Sequence, residues 1–373
     1  MKKKVIAAGH ICLDITPVFS GKKAERPGDI LIPGKLVNVG PADVHTGGAV
    51  ANTGLAMKFF GADVSLMGKI GNDPFGEIIS NILKSHDAEQ GMLVSEEEST
   101  SYTVALALPG VDRIFLHHPG ANHTFRAEDV PCSELEKAAL FHFGYPPLIK
   151  SMYENDGAEL VNMMRRAKEY GTATSLDFAA IDSETEAGSA DWERILERVI
   201  PYVDILAPSV EELCFMLDRE RFQEWQKRAA GRDITEMLNV EEDIRPLADR
   251  CMEMGAKILL IKCGAPGIYY QTASGQNLEH VGKKLELAVP QWADLCGFER
   301  SYVPDRVLSG TGAGDTSIAA FLTALLEGYA PEMCLHLAAA AGASCVAAYD
   351  ALSGLKPFAE LEQKIQKGWE KIC

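Results

Sequence analysis

The chain has 373 residues, of which 47% are hydrophobic, and its formal net charge is −17. That length and apolar content allow one large α/β unit or two ordinary ones around a sizeable core. The acidic balance argues against nucleic acid and anionic membrane surfaces as partners, although a local site can still oppose the global field and take a phosphate.

The opening "MKKKVIAAGHICLD" has a basic start and an apolar run. The run is short, holds Gly9 and His10, and lacks a small-x-small site before Asp14, so it reads as a first β-strand running into Asp14 rather than a signal peptide. No stretch approaches the ~18 apolar residues of a membrane span. Residues 20–46 are rich in Gly, Pro and polar residues. "GGAVANTGLAMKFFGA" reads as a loop entering a helix that stops at Gly61, and Val64–Gly68 as a strand. "NDPFGEIISNILKSHDA" starts a helix capped by Asn72 or Asp73 with Pro74 in its first turn. "SYTVALALPGVDRIFLHH" predicts a hairpin turning at "PGVD". Strands and helices then alternate: "ALFHFGY", "ELVNMMRRAKEYG", "TATSLDF", "DWERILERV", "DILAPS", "VEELCFML", "IRPLADRCMEMGA" and "KILLIKCG". This rhythm predicts parallel β-α-β units in a three-layer αβα sandwich. Two regions break it. Residues of about 15–46 and 99–119 are read together as a small β-sheet lid. Residues of about 271–308 form a polar and aromatic insertion with Trp292, Phe298, Arg300 and Tyr302. Nine cysteines run from Cys12 to Cys373 with no C-x-x-C pair, which suits reduced thiols and a cytoplasmic location.

The stretch "SGTGAGDTS", residues 309–317, directly precedes a helical run. Unpaired N–H groups at a helix start bind anions, and glycines let successive N–H groups converge. On this stretch alone, a phosphate cradle and an ordinary turn capped by Asp315 both stand. A P-loop is excluded because no Lys follows, and a dinucleotide fingerprint fails on glycine spacing and position.

The stretch resembles the second signature of the ribokinase-like carbohydrate kinases, the PfkB family, whose usual form is D-T-x-G-A-G-D. Gly312, Ala313, Gly314 and Asp315 match, whereas Ser309 and Gly310 depart from it. "HTGGAVANTGLAMKFFGADVSLMGKIGNDPFGE" is similar to the first signature, G-G-x-x-x-N, followed by G-x-D-x-x-G at Gly71, Asp73 and Gly76. "DILAPSVEEL" looks like the D-I-L-x-x-N-x-x-E segment, with Ser209 in place of Asn and Glu212 kept. "IKCGAPG" resembles the V-T-x-G-x-x-G strand and turn, with Lys262 where Thr is common. The motifs occur in the family's order from Asp14 to about Tyr349. The resemblance implies a single ribokinase-like domain over residues 1–373.

It also implies transfer of the ATP γ-phosphoryl group to a sugar hydroxyl, with Mg²⁺. Asp315 resembles the catalytic base, and the amides of Gly312, Ala313 and Gly314 the anion hole. Asp14, Gly47, Gly48 and Asn52 fall at sugar-binding positions. Ser209, Lys262, Gly264 and Gly267 fall at nucleotide-binding positions, and Glu212 at the one that orients hydrated Mg²⁺. Many relatives bind a monovalent cation beside the anion hole; Ser309 replaces a common contributor there, which argues against K⁺ activation. His117, His118 and His123 have no evident acid partner and are not expected to hold a metal. "GGAVAN" is closer to the pattern of hexose and keto-sugar kinases than to that of ribokinases. The alternatives are a nucleoside kinase of the same fold, with Trp292 stacking on a base, and a catalytically weak sugar-binding regulator, motivated by Ser209, Lys262 and Ser309. The lid edge and the family's habits suggest a homodimer.

Overall fold

The computed structural model describes residues 2–372 apart from 20, 22, 24, 112 and 113. Among the described residues, thirteen strands make two sheets: β1 (Lys4–Gly9), β2 (Cys12–Pro17), β3 (Ala42–Gly47), β4 (Asp63–Gly71), β5 (Met92–Ser95), β6 (Tyr102–Leu106), β7 (Ile114–His118), β8 (Ala138–Gly144), β9 (Ala173–Asp177), β10 (Ile205–Leu206), β11 (Ile258–Lys262), β12 (Gly267–Thr272) and β13 (Cys296–Arg300). The large sheet runs β13-β12-β11-β10-β9-β8-β1-β4-β5 and is parallel from β11 to β5. β12 and β13 add two antiparallel strands at one edge. This confirms the mainly parallel α/β architecture that the alternation predicts.

The central parallel strands β1, β8, β9 and β11 are buried on both sides because helices cover both sheet faces. On one face, Val5, Ala7 and Leu260 pack with the helices Ala49–Phe59, Ala313–Leu326 and Pro331–Cys345. On the other, Ile6, Phe141, Leu176 and Ile261 pack with Ala158–Glu169, Trp192–Val199, Val210–Leu217 and Arg245–Glu253. The alanine run 338–341 is buried, as small residues for close helix packing require. A Cβ on Gly342 in the same helix would lie 2.5 Å from Ser317 Oγ on its neighbour.

From β1 the sheet grows outward in both directions, to β4 and β5 on one side and to β8 through β11 on the other. The gap between β1 and β8 is therefore a topological switch point, where ligands of open α/β sheets bind beyond the carboxyl ends of the strands. Gly9 and Gly144, the last residues of the two strands, stand opposite each other there.

The small sheet has the order β3-β2-β6-β7, with β2 and β6 parallel and the outer pairs antiparallel. It departs from expectation in one respect that matters for the site. The first apolar run is two strands, broken at Gly9–Ile11, and Asp14 lies on β2 of the small sheet instead of ending β1. The break is steric as well as conformational: Gly9 has φ 122°, and a Cβ there would lie 2.4 Å from the Gly144 carbonyl oxygen. The small sheet thus begins at Cys12. Strands β6 and β7 form the predicted hairpin, but with a longer connection than a four-residue turn; Asp112 of "PGVD" lies outside the described residues. Cys373 and parts of the 20–46 stretch, at 20, 22 and 24, also lie outside them.

Residues 271–308, expected as a polar and aromatic insertion, contain ordered elements. They carry the end of β12, a short helix Val289–Trp292 and β13. Trp292 is 3% exposed and packs edge-on against Phe321, with ring centroids 5.8 Å apart. It cannot stack on a base, so the sequence argument for a nucleoside substrate loses its support. Tyr302 is likewise buried and stacks on Trp369 at 4.7 Å.

Candidate active site

The turn "SGTGAGD" enters the helix Ala313–Leu326 through Gly312, the N-cap residue, at φ 74° and ψ −2°. That left-handed conformation suits glycine. A Cβ on Gly312 would also lie 2.3 Å from the Ala351 Cβ. Asp315 is therefore the third residue of the helix and not its cap. Its carboxylate faces the sheet side of the cleft, 5% exposed, and three side chains donate to it. Tyr145 Oη reaches Oδ1 at 2.6 Å, Thr53 Oγ1 reaches Oδ1 at 3.3 Å, and Asn52 Nδ2 reaches Oδ2 at 3.0 Å. The reading of Asp315 as a mere capping residue is excluded by this arrangement.

The amides of an α-helix's first turn have no intrahelical acceptor and sit at the positive end of its dipole. Gly312, Ala313 and Gly314 provide this face. Of these, Ala313 spends its N–H on a long bond to the Gly310 carbonyl, 3.3 Å. Ser309 shapes the turn before it: its Oγ accepts from Thr311 N at 3.1 Å and donates to Thr311 Oγ1 at 3.0 Å.

Asn52 and Thr53 come from the helix Ala49–Phe59, whose N-cap is Gly48 at φ 85°. A Cβ on Gly48 would lie 2.5 Å from the His10 carbonyl oxygen, and one on Gly47 would lie 2.1 Å from Asp14 Oδ2. The paired glycines thus let the helix start close against both β1's end and Asp14. Asp14 stands opposite His45 on β3 and accepts from the Cys12 thiol at 3.2 Å. Burial pushes its carboxyl above the usual range; the Cys12 thiol, Thr103 and His45 pull it back, while Asp315 adds to the rise.

Across the cleft, Asp177 ends β9 and Lys262 ends β11. Lys262 Nζ lies 2.5 Å from Asp177 Oδ1, and Phe178 N–H donates to the same oxygen at 2.8 Å. Asp177 Oδ2 is buried and has no hydrogen-bond partner among the described residues. Burial lifts the Asp177 carboxyl to about 7 against the pull of Lys262, with Glu212 and Asp315 adding to the rise. Burial alone would lower Lys262, but Asp177, Glu212 and Asp315 outweigh it and hold the ammonium protonated. A Cβ on Gly314 would lie 3.7 Å from Lys262 Nζ, so this cation stands beside the glycine turn.

Ser209 and Glu212 form a capping box at the start of Val210–Leu217: Ser209 Oγ accepts from Glu212 N at 3.1 Å, and Glu212 Oε2 accepts from Ser209 N at 2.7 Å. A serine at this position does the work of a helix cap. Ser209 also forms a parallel bridge with Lys262. Gly264 and Gly267 shape the β11–β12 turn, Gly264 at φ 62° against Thr235.

Tyr145, Thr53, Asp177 and His10 are missing from the residues singled out in the sequence. Tyr145 and Asp177 carry the signal that drew attention to Asp14, a polar residue where an apolar strand stops. Tyr145 is non-glycine at φ 70° and ψ 47°, and a residue before proline avoids helical conformations. Such backbone costs about 1–3 kcal/mol and persists where the surroundings enforce it. His10 lies near the rings of His117 and Tyr145, at centroid distances of 5.3 and 6.0 Å, and among the described residues neither of its ring nitrogens has a hydrogen-bond partner. Burial, then His117 and His123, hold it well below the usual histidine range. His117 itself donates to or accepts from Thr103 Oγ1 at 3.0 Å, and His118 does the same with Ser99 Oγ at 2.8 Å.

Residues 11–356 match the pfkB family of carbohydrate kinases. An uncharacterized sugar kinase of Archaeoglobus fulgidus is 24% identical over 301 residues, covering 81% of this chain and 98% of its own. A probable fructokinase-5 of Arabidopsis thaliana is 24% identical over 386 residues, covering 98% of each chain. Among solved structures, a fructokinase with bound ATP from Xylella fastidiosa superposes with TM-score 0.70 at 19% identity, over 98% of this chain and 99% of that one. An Arabidopsis thaliana ribokinase complexed with ribose and ATP superposes with TM-score 0.68 at 19% identity, over 97% and 98% of the two chains. These structures share the fold. The chain belongs to the pfkB family of carbohydrate kinases, ATP-dependent phosphotransferases.

Proposed function

We propose that this pfkB-family kinase phosphorylates a hydroxyl of a hexose or keto-sugar, with Asp315 as the base and fructose as the first substrate to test. One observation carries the reading. Asn52, from the sugar-side motif, and Asp315, from the phosphate-side motif, meet at 3.0 Å although 263 residues separate them. The two motifs therefore converge on one carboxylate at the sheet's switch point.

The sugar lies between Asp14 and Asp315, its hydroxyls donating to Asp14. Asp315 accepts the proton of the attacking hydroxyl, whose oxygen bonds to the γ-phosphorus while the bond to ADP breaks. Such a transfer depends on positioning and charge neutralisation more than on covalent help. The Gly312–Gly314 turn and the Lys262 ammonium face the charge on the transferring group. Buried oxygen donors suit Mg²⁺, which takes oxygen ligands and keeps several waters. Glu212, with one oxygen free of its cap bond, and Asp177, with its unpartnered Oδ2, fit that ion. When bound, it neutralises phosphate charge.

The small sheet acts as the lid over the sugar. Its face opposite Asp14 exposes Val44 and Leu116, and the segment before β3 exposes Leu36 and Val39, which supports a homodimer formed through that sheet. Among the described residues no helix is long and apolar enough to cross a membrane, and eight cysteines are free thiols. With ATP as co-substrate, these thiols support work in the cytoplasm.

A panel of fructose, ribose, 2-keto-3-deoxygluconate, adenosine and inosine, each with Mg·ATP, tests the reading through ADP release. Fructose or the keto-acid should give the highest kcat/KM. Turnover of nucleosides alone would overturn the substrate class, and none across a broad panel would favour a binding protein.

A further inference from the structure

We propose that Tyr145 is a positioning residue for the phosphoryl transfer. Its phenol, with the Thr53 hydroxyl, fills Oδ1 of Asp315, so that Oδ2 is the atom that takes the sugar proton. The inference rests on the reading of Asp315 as the base.

An ionised carboxylate has about four lone-pair sites, two on each oxygen. Among the described residues, Oδ1 accepts from Tyr145 at 2.6 Å and from Thr53 at 3.3 Å, whereas Oδ2 accepts from Asn52 at 3.0 Å. One acceptor site is left, and it lies on Oδ2. The balanced step follows. The hydroxyl proton moves to Oδ2, and the oxygen's electron pair forms the bond to the γ-phosphorus. The bond from that phosphorus to the β–γ bridging oxygen breaks, and its pair leaves with ADP. Asp315 then returns the proton to solvent.

Tyr145 is built to hold this bond. Its left-handed backbone, φ 70° and ψ 47°, turns the chain away immediately after β8. The N–H donates to the Asp177 carbonyl at 3.2 Å, and the Tyr145 carbonyl accepts from Leu148 N at 2.9 Å. The backbone is thus tied on both sides while the phenol spans to the helix of Asp315. Burial raises the phenol well above its usual range, and Asp315 and Asp177 raise it further, so it remains an O–H donor. The shortest of the three bonds on the carboxylate is the one it makes. Removing it leaves the ionised form less stabilised and Oδ1 free to rotate into the reacting position.

The groups facing Asp315 are Lys262, Asp177, Asp14, Cys345 and Tyr145 itself. Asp177 hydrogen-bonds Tyr145 through its main-chain carbonyl.

The test is Tyr145→Phe, which keeps the ring and deletes the O–H. A charge-assisted bond of this kind corresponds to roughly a tenfold effect or more. The acid limb of the kcat/KM profile should therefore rise by about one pH unit and kcat fall about tenfold, with both KM values within about threefold. Thr53→Val, which vacates the same oxygen, should move the limb in the same direction by less. A lowered kcat with an unmoved acid limb would reduce Tyr145 to a packing residue. A urea-denaturation cycle of Tyr145→Phe, Asp315→Ala and the double variant reads the contact without any turnover. The double variant should lose less stability than the two single losses together, and strict additivity would overturn the proposal. Should the wild-type protein turn over no sugar, the reading of Asp315 as base fails, while the cycle still decides whether Tyr145 holds Asp315.

Discussion

Asp315 receives three side-chain hydrogen bonds, and none of them caps the helix. Asp315→Asn is nearly isosteric and removes the proton acceptor while keeping an oxygen for Tyr145. Base catalysis is typically worth about 10²–10⁴-fold, so kcat should drop by that range while the melting temperature holds. A steady-state assay beside a melting curve decides it; a kcat within about threefold of the parent would end the assignment, since even the low end is about 100-fold. Lys262 makes a different kind of prediction. Lys262→Met leaves Asp177 buried beside no cation, and breaking a buried pair typically costs about 3–5 kcal/mol. Loss of the ammonium also raises Asp177 further above its unfolded value, from a position already near 7. A raised folded-state value gives stability that is present below the unfolded pKa and lost as pH rises through the folded one. The variant's deficit against wild type should therefore be smallest near pH 4 and grow through pH 7. Urea titrations across that range would show it, and a deficit that shrinks with rising pH would contradict the buried pair.

At the scale of elements, the decisive feature is the break at Gly9–Ile11. It sends β1 into the large sheet and β2 into the small one, so Asp14 lies on the small sheet, close against Gly47. Sequence patterning shows apolar residues on both sides of the break and cannot mark it, because its cause is the carbonyl of Gly144 from a strand more than a hundred residues away. The exposed face of the small sheet leads to a prediction about assembly. Leu116 is 54% exposed on an edge strand, and an apolar sheet face of this kind is stabilised by a second copy. Sedimentation should show a dimer, and Leu116→Glu should shift it to monomer. A monomeric wild-type protein at micromolar concentration would rule out the lid dimer. The glycine turn before Asp315 shows the opposite case. Its form was legible because Gly312 needs a left-handed conformation that few other residues accept, a purely local demand.

Residues from strand ends, helix starts and the small sheet converge at the switch point between β1 and β8, where we propose the site lies. A ligand that binds only the folded state stabilises it by mass action, by about 2.7 kcal/mol at about 100 times its Kd. Fructose with Mg·ATP should raise the melting temperature by more than the sum of the two separate shifts, because each ligand orders a site that the other shares. Additivity within error, or stabilisation by adenosine in preference to any sugar, would argue against a shared sugar–phosphate site.

Much about this protein was determined locally. The alternation of apolar strands with helices, the glycines at 47–48 and 312–314, and the acids at 14 and 315 all follow from periodicity, backbone freedom and charge, which short stretches of chain carry by themselves. The tertiary structure alone decided the partners. Tyr145 and Thr53 bond to Asp315 across 170 and 262 residues of chain, and Lys262 pairs with Asp177 across 85. It also decided that Trp292 belongs to the core, since an aromatic residue in a polar stretch looks the same whether it meets a ligand or Phe321. Such contacts depend on which strand ends the sheet brings side by side, and strand order is a property of the assembled sheet that no local pattern encodes.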